Sequence, residues 1–538
     1  MKALTKTFSM LAALLKRDWL KLIFWLLAVL AFAASGAGKF VTLMQSPAQS
    51  VSVFDMFQNP ALVGLFGPTT VKHPTDFTAA AAFGNTMPLI TSITFIIVSV
   101  IYVINRTRKE EDDGIAELFR SFQVGKLANT TAVIIETFAL QVLISFVLAL
   151  VIQVQNIAGM TDFSSNLLFA SSIGVQSFMW GMIALVLAQI FSNAGSAKGA
   201  TFGLLGMLYI VRMGTDIENV SVGWFNPLSW SYLTDVFVKD NWLPIVLSLV
   251  LSFVLIVFAY LLENARDVNA GYIPEGNGKA RASKTLLSFP GLVLRQQRGA
   301  IIGWIAGLFI LGFVYGSMIG QISKFIKSST TVSQIFAVSP TAGALMMTKQ
   351  YLSTLFVIIS VIVTCFAITS LSRMVSEERK NRQEQVYATA LSRYKVYLTY
   401  TLIAWILGAL AMFLTSLGIY LAQLGSSHAL SFAEVMKPGL VYIFAIFFVL
   451  SLLDLLMAFL PRFSAIIWIY VAFTFFMSYI GSIIKFPDWV HDLDVFYHIP
   501  KLATESMSWE NVSVIAILSI VFVLIGLFAY RRRDLITG

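Results

Sequence analysis

Two sets of charged side chains recur along this chain at matching spacings. Arg106, Glu110, Glu111, Glu117 and Lys126 are repeated 267 residues later as Arg373, Glu377, Glu378, Glu384 and Arg393. Their chemistry is ionic recognition, and an acidic, helical, water-facing element in each half of the chain is expected to receive a partner. On a helix, residues seven apart lie two turns along one face, so Glu110 with Glu117, and Glu377 with Glu384, would each present two carboxylates to one side. Arg106 and Arg373 stand four residues before the first glutamate and can pair with it. Such a pair contributes only a few tenths of a kcal/mol, too little to explain why the whole set recurs.

A second group of candidates lies inside apolar runs, where an ionisable or amide side chain is costly enough to suggest function. Glu136, Gln141, Gln176 and Asp454 are the candidates for substrate contact or gating. The alternatives are structural. Glu136 and Asp454 can cap a neighbouring helix or meet a basic residue, and Gln141, Gln176 and Gln189 suit hydrogen bonding between helices. Arg212 can pair with Asp216 four residues on, or snorkel outward. The histidines, His73, His428, His491 and His498, are scattered without a metal-ligand spacing, and the single Cys365 lies in an apolar run, where no intrachain disulfide is possible. No catalytic or metal site is expected.

The elements that carry these residues follow from composition. Hydrophobic residues make up 57% and charged residues 12% of the chain, against roughly 45–50% and about 25% in soluble domains. Runs such as 243–262 hold no charge at all, and a bilayer core about 30 Å thick needs about 20 apolar helical residues. The chain therefore reads as an all-α integral membrane protein. Twelve spans are expected, starting near Leu20, Pro88, Thr130, Leu167, Thr201, Leu243, Ala300, Leu352, Val396, Gly439, Ala465 and Val512. With both termini in the cytoplasm, the cytoplasmic segments hold 27 of the 37 Lys and Arg residues, as the positive-inside rule requires. The net charge of +9 is explained by this bias and implies no nucleic acid.

Residues 33–37 (Ala-Ala-Ser-Gly-Ala) resemble a signal-peptide cleavage region. The second half argues against cleavage: Lys16 and Trp25 are spaced as are Arg295 and Trp304, which head an internal span. The first run is retained as a span, preceded by an amphipathic lead-in helix over 11–19 at the membrane surface. Both halves also close alike, with Phe258-Ala259-Tyr260 and Arg266-Asp267 recurring as Phe528-Ala529-Tyr530 and Arg533-Asp534. The expected organisation is a six-helix half over 1–263 with a polar loop at 105–129, a linker at 264–290, and a second six-helix half over 291–538 with its loop at 372–395. Matching orientation makes this a parallel repeat. External segments are expected at 39–86, 321–350, 425–438 and 482–511, with turns at Pro60, Gly67-Pro68 and Pro340, and with Pro227 and Pro500 shaping turns before the last span of each half.

The span order, the Arg-x3-Glu-Glu-x5-Glu loop after the second span of each half, and the closing Arg-Asp resemble the ABC-2 type permeases, in particular the double-length group of polyketide antibiotic exporters. The resemblance implies that each loop is a coupling helix inserted into an ATPase subunit. Coupling would rest on Arg106, Glu110, Glu111, Glu117 and Lys126 and on Arg373, Glu377, Glu378, Glu384 and Arg393. It further implies two copies of a separate ATPase, carrying ATP and Mg, per chain in a bacterial cell membrane, and an apolar or amphipathic small molecule as cargo. The chain has no phosphate-binding loop of its own; 276–280 (Gly-Asn-Gly-Lys-Ala) lacks the upstream glycine and the hydroxyl. In the second copy Gly114 becomes Asn381, and Asp112-Asp113 becomes Arg379-Lys380, so the two docking sites are expected to differ. The rival readings are an ion-coupled secondary transporter working through Glu136 and Asp454, and a membrane sensor or assembly protein that transports nothing.

Overall fold

The computed structural model describes residues 2–267, 270–273, 281–320, 343–389, 391–426, 429–480 and 488–534, and these form helices and short turns without a strand. Their contacts divide the chain into two units, Met1–Gly278 and Lys279–Gly538. Eleven helices among the described residues are long and apolar enough to cross a membrane. The first unit holds Thr7–Leu43, Ala79–Asp112, Ala128–Val154, Phe163–Ile190, Ala194–Ile217 and Leu243–Ala265; the second holds Phe289–Ser317, Ala344–Arg379, Arg393–Gln423, Phe432–Phe459 and Trp509–Arg532. The remaining expected span coincides with a shorter apolar helix, Pro461–Met477. The expected segment 321–350 as far as 342, residues 481–487, linker residues 268–269 and 274–280, Pro340 and His428 lie outside the described residues.

Side chains just ahead of the apolar runs decide where helices begin. Thr78, Asp162, Asn193, Ser288 and Ser392 each accept a hydrogen bond from a backbone amide of the following first turn, satisfying a donor the helix cannot pair internally. The second span therefore starts at Ala79 and carries Pro88 inside it. Nor is the lead-in segment a separate helix. Residues 11–19 continue without a break into Thr7–Leu43, with Met10, Leu14 and Asp18 buried while Phe8, Leu15 and Trp19 are exposed.

Within each unit, small residues let backbones approach, which is how apolar helices pack where no hydrophobic driving force operates. Phe163–Ile190 is the most enclosed helix of the first unit; a Cβ on its Gly174 would meet Ser145 Oγ, and one on Gly181 would meet Ser99 Oγ. In the second unit Gly312 and Gly316 lie against the carbonyls of Thr415 and Ile419, and Gly418 lies against that of Phe309. Outward, helix Leu243–Ala265 exposes Val246, Val250, Phe253, Val257 and Leu261 along one side. That stripe suits lipid and not water.

At the ends opposite the charged loops the chain is ordered by polar contacts. Arg212 and Asp216 form an ion pair at 2.7 Å with both side chains fully buried, so Arg212 pairs and does not snorkel. It also donates to the Gly64 carbonyl, while Tyr232 donates to Asp216 at 2.6 Å and Tyr209 to the Leu65 carbonyl at 3.1 Å. Together these tie helix Pro60–Phe66 to the fifth span. Residues near Pro227 form two short 3-10 turns, Val220–Phe225 and Ser229–Ser231.

In the second unit Asp494 is buried and accepts from the Phe496 amide at 3.0 Å. Burial pushes its carboxyl up from 3.8 to about 7, against the lowering effects of that amide and of His498. Between these two values the folded protein keeps a proton that the unfolded chain releases, so stability falls as pH rises through the window and levels off above it. Asp494→Asn retains the acceptor for Phe496 and removes the titration. Melting curves in detergent should show the variant gaining on the wild type between pH 4 and pH 7 and no further above; a constant difference across that range would rule the mechanism out.

Candidate functional site

The two acidic loops are not single helices. Each breaks in the middle, into Arg108–Asp112 and Ile115–Ser121 in the first unit, and into Arg373–Arg379 and Arg382–Tyr387 in the second. The break falls at Gly114, with φ of 75°, and at its repeat counterpart Asn381, with φ of 56°. Glycine pays no steric cost in the left-handed region, and asparagine is among the few other residues that visit it. The substitution thus preserves one turn. Glu117 and Glu384 consequently lie on a second helix, and the expected pairing of carboxylates on one helical face is not what forms.

Nor do most of the glutamates face water. Glu110, Glu111, Glu377 and Glu378 are 4%, 6%, 6% and 2% exposed, whereas Glu117 and Glu384 are exposed. The reason is a buried ion pair that occurs once in each unit. Arg266 donates from two nitrogens, one to each oxygen of Glu111, at 2.7 and 2.6 Å, and Arg533 donates from its single Nη2 to both oxygens of Glu378, at 2.8 and 2.7 Å. The fork at Glu111 is the strong, bidentate form of a charge-assisted hydrogen bond, and Glu378 is held by one shared donor nitrogen. A second tie follows the same register: Lys126 donates to the carbonyls of Asn264 and Arg266, both at 2.9 Å, and Arg393 to those of Arg531 and Arg533, at 3.2 and 2.6 Å. Each loop is thereby fastened to the end of the last apolar helix of its own unit.

The loops also hold the connection between the fourth and fifth apolar helices, with inverted polarity. Asp112 accepts from the Ala194 amide at 2.6 Å. Its counterpart Arg379 donates to the Pro461 carbonyl at 3.0 Å, and Pro461 stands where the repeat places Ala194. Proline has no amide hydrogen, so the partner must donate to a carbonyl instead. The charge reversal between the copies is thus matched to the proline.

The first unit adds a network the second lacks. Arg106 bonds Glu110 at 3.1 Å and also Asp18; Arg17 bonds Glu110 at 2.7 Å. Arg108, 1% exposed, reaches Glu111 at 3.1 Å, the Ala270 carbonyl at 3.1 Å and the Ser192 carbonyl at 2.5 Å. At the corresponding places the second unit has the exposed Arg373, Gln296, Gln297 and Val375. There Gln297 accepts from Ser370 at 2.7 Å, and Glu377 meets only the exposed Arg382, at 3.4 Å, among the described ion pairs. Sequence reading missed Arg17, Asp18 and Arg108, and noted Arg266 and Arg533 only as part of a repeated ending. The repeat was the available signal for the last two.

The residues inside the spans are buried at separate points. Glu136 accepts from Tyr102 at 2.7 Å, and the same hydroxyl lies 3.4 Å from Asp18. Gln176 donates to the Pro227 carbonyl at 3.1 Å and to Ser248 at 3.2 Å, and Gln189 accepts from Arg266 at 2.8 Å. Gln141 is buried beside Ser145, which donates to its carbonyl. In the second unit Asp454, fully buried, accepts from Thr401 at 3.0 Å. Gln176 and Gln189 thus join helices or loops within the first unit.

Comparison with known proteins adds two findings. Residues 286–531 match the family described as the C-terminal domain of the multidrug efflux system permease Rv1217c. The whole chain is 26% identical to the multidrug efflux system permease protein Rv1217c of Mycobacterium tuberculosis, over 98% of this chain and 95% of that protein.

The repeated tie predicts a specific rescue. Glu378→Arg, which sets two guanidinium groups together, should cost about 3–5 kcal/mol, and the exchange Glu378→Arg with Arg533→Glu should recover much of it in thermal unfolding. Equal loss in single and double variants would show that the pair contributes nothing. The inverted contact allows a second test. Arg379→Asp alone should destabilise by roughly 1 kcal/mol, and adding Pro461→Ala, which restores an amide donor, should reverse the loss; no recovery would refute the matched polarity.

Proposed function

From the premise that this chain is a double-length ABC-type permease, we propose that it is the membrane subunit of an exporter whose energy comes from a separate ATPase. Its cargo is an apolar or amphipathic compound, as the description of its relative as a multidrug efflux permease suggests. The observation that carries the reading is the twofold fastening of each acidic loop to the last apolar helix of its unit, through Glu111 with Arg266 and Glu378 with Arg533. A loop held only by solvent would yield when pushed. One clamped by a buried ion pair passes displacement to a spanning helix.

In this reading the loops face the cytoplasm, each meets one ATPase copy, and ATP with Mg is bound by the partner. Closure of the ATPase pair moves both loops, and with them helices Leu243–Ala265 and Trp509–Arg532, between two arrangements. The roles divide by burial. Glu111, Glu378, Lys126 and Arg393 position the loop, Arg106 and Glu110 join it to the first helix, and the exposed Glu117, Glu384 and Arg373 meet the partner. Ion coupling through Glu136 and Asp454 is the second reading, since Glu136 Oε1 and Asp454 Oδ2 are buried without a hydrogen bond among the described residues.

The test is co-purification of the tagged chain with candidate ABC ATPase subunits. Wild type should retain an ATPase, and Glu117→Lys with Glu384→Lys should cut its recovery at least tenfold while the chain still folds. Failure of every candidate to bind, or retention indifferent to both reversals, would overturn the exporter reading and leave ion coupling to be tested through Glu136 and Asp454.

A further inference from the structure

The second unit contains a cavity of about 820 Å³ beside its acidic loop. Phe289, Leu292 and Tyr400 supply apolar walls, while Gln296, Glu377 and Arg382 supply polar and charged groups. The volume falls in the range of small-molecule sites, and apolar and polar side chains share the wall. Glu377 is itself 6% exposed, and its described ion pair is the long one, 3.4 Å to Arg382 at the rim of the cavity, whose side chain is 60% exposed.

The first unit shows what belongs against that carboxylate. Glu110 is the repeat counterpart of Glu377, and Arg17 that of Gln296. Arg17 donates to Glu110 at 2.7 Å, while Met10 and Leu14, from the same helix, are buried in a cluster with Val133, the counterpart of Tyr400. A guanidinium on an apolar body fills the place. In the second unit an amide stands at the arginine position, and Glu377 has only the longer contact with the exposed Arg382 among the described ion pairs.

We propose that this cavity binds an amphipathic organic cation, its charged group on Glu377 and its apolar body against Phe289, Leu292 and Tyr400. The site borders the helix that carries Glu384 but needs only the permease chain. It also makes the halves unequal, since the equivalent carboxylate of the first unit is held by Arg17 at 2.7 Å and by Arg106 at 3.1 Å.

Rhodamine 6G, a fluorescent amphipathic cation, is the probe, titrated by fluorescence polarisation into the full-length chain in detergent, with anionic fluorescein as control. Wild type should bind rhodamine 6G saturably and fluorescein at least tenfold more weakly. Gln296→Arg places the first unit's own cation on Glu377. It should remove one rhodamine site per chain, or weaken it at least tenfold, without lowering the melting temperature. Glu377→Gln should do the same, and Glu110→Gln should leave binding at this site unchanged. No saturable binding, equal binding of fluorescein, or unchanged stoichiometry and affinity in Gln296→Arg would overturn the proposal. ATPase retention, measured on the same preparations, separates the two readings. Its absence defeats the exporter assignment and leaves this site standing, whereas unaltered dye binding in Gln296→Arg defeats the site alone.

Discussion

A carboxylate and a guanidinium removed from water together must be closely paired if they are buried at all. Desolvation costs each ion several kcal/mol, and only close pairing offsets it. Glu111 with Arg266 and Glu378 with Arg533 meet that condition. Much of the polar architecture of each unit is arranged around the pair. In the first unit Arg266 is held in turn by Gln189, and Lys126 takes the neighbouring carbonyls. In the second, Tyr530, one turn before the arginine, bonds Gln383 at 3.1 Å and Tyr387 at 2.9 Å. Removing either ion would strand the other in a place built for two.

The copies have diverged without losing these contacts, and the differences are compensated locally. Gly114 and Asn381 make the same left-handed turn. Asp112 and Arg379 have opposite charge and hold the same connection, because one meets an amide and the other a proline carbonyl. Where compensation is absent, at Arg17 and Gln296, the two units differ in form. One carboxylate is capped by the chain itself, and the other borders a cavity.

The i to i+4 pairing of Arg106 with Glu110 was legible from spacing and is present at 3.1 Å. Legible too was the apolar helix for each expected span, since twenty uncharged residues have few other ways to satisfy their backbone. Exposure was not. The charged loops resemble ordinary solvated helices, and nothing near them in the chain announces that Arg266 or Asp18 will arrive from 155 and 88 residues away. Gln176 likewise offered two readings, and only its bonds to Pro227 and Ser248 chose between them.

By itself the sequence determined the membrane class, the duplication and the register of the charged sets, because composition and spacing are properties of the chain whatever its conformation. The tertiary structure decided which of those charges meet water and which meet each other. Burial depends on neighbours brought in from distant helices, and the strength of an ion pair depends on the water they exclude.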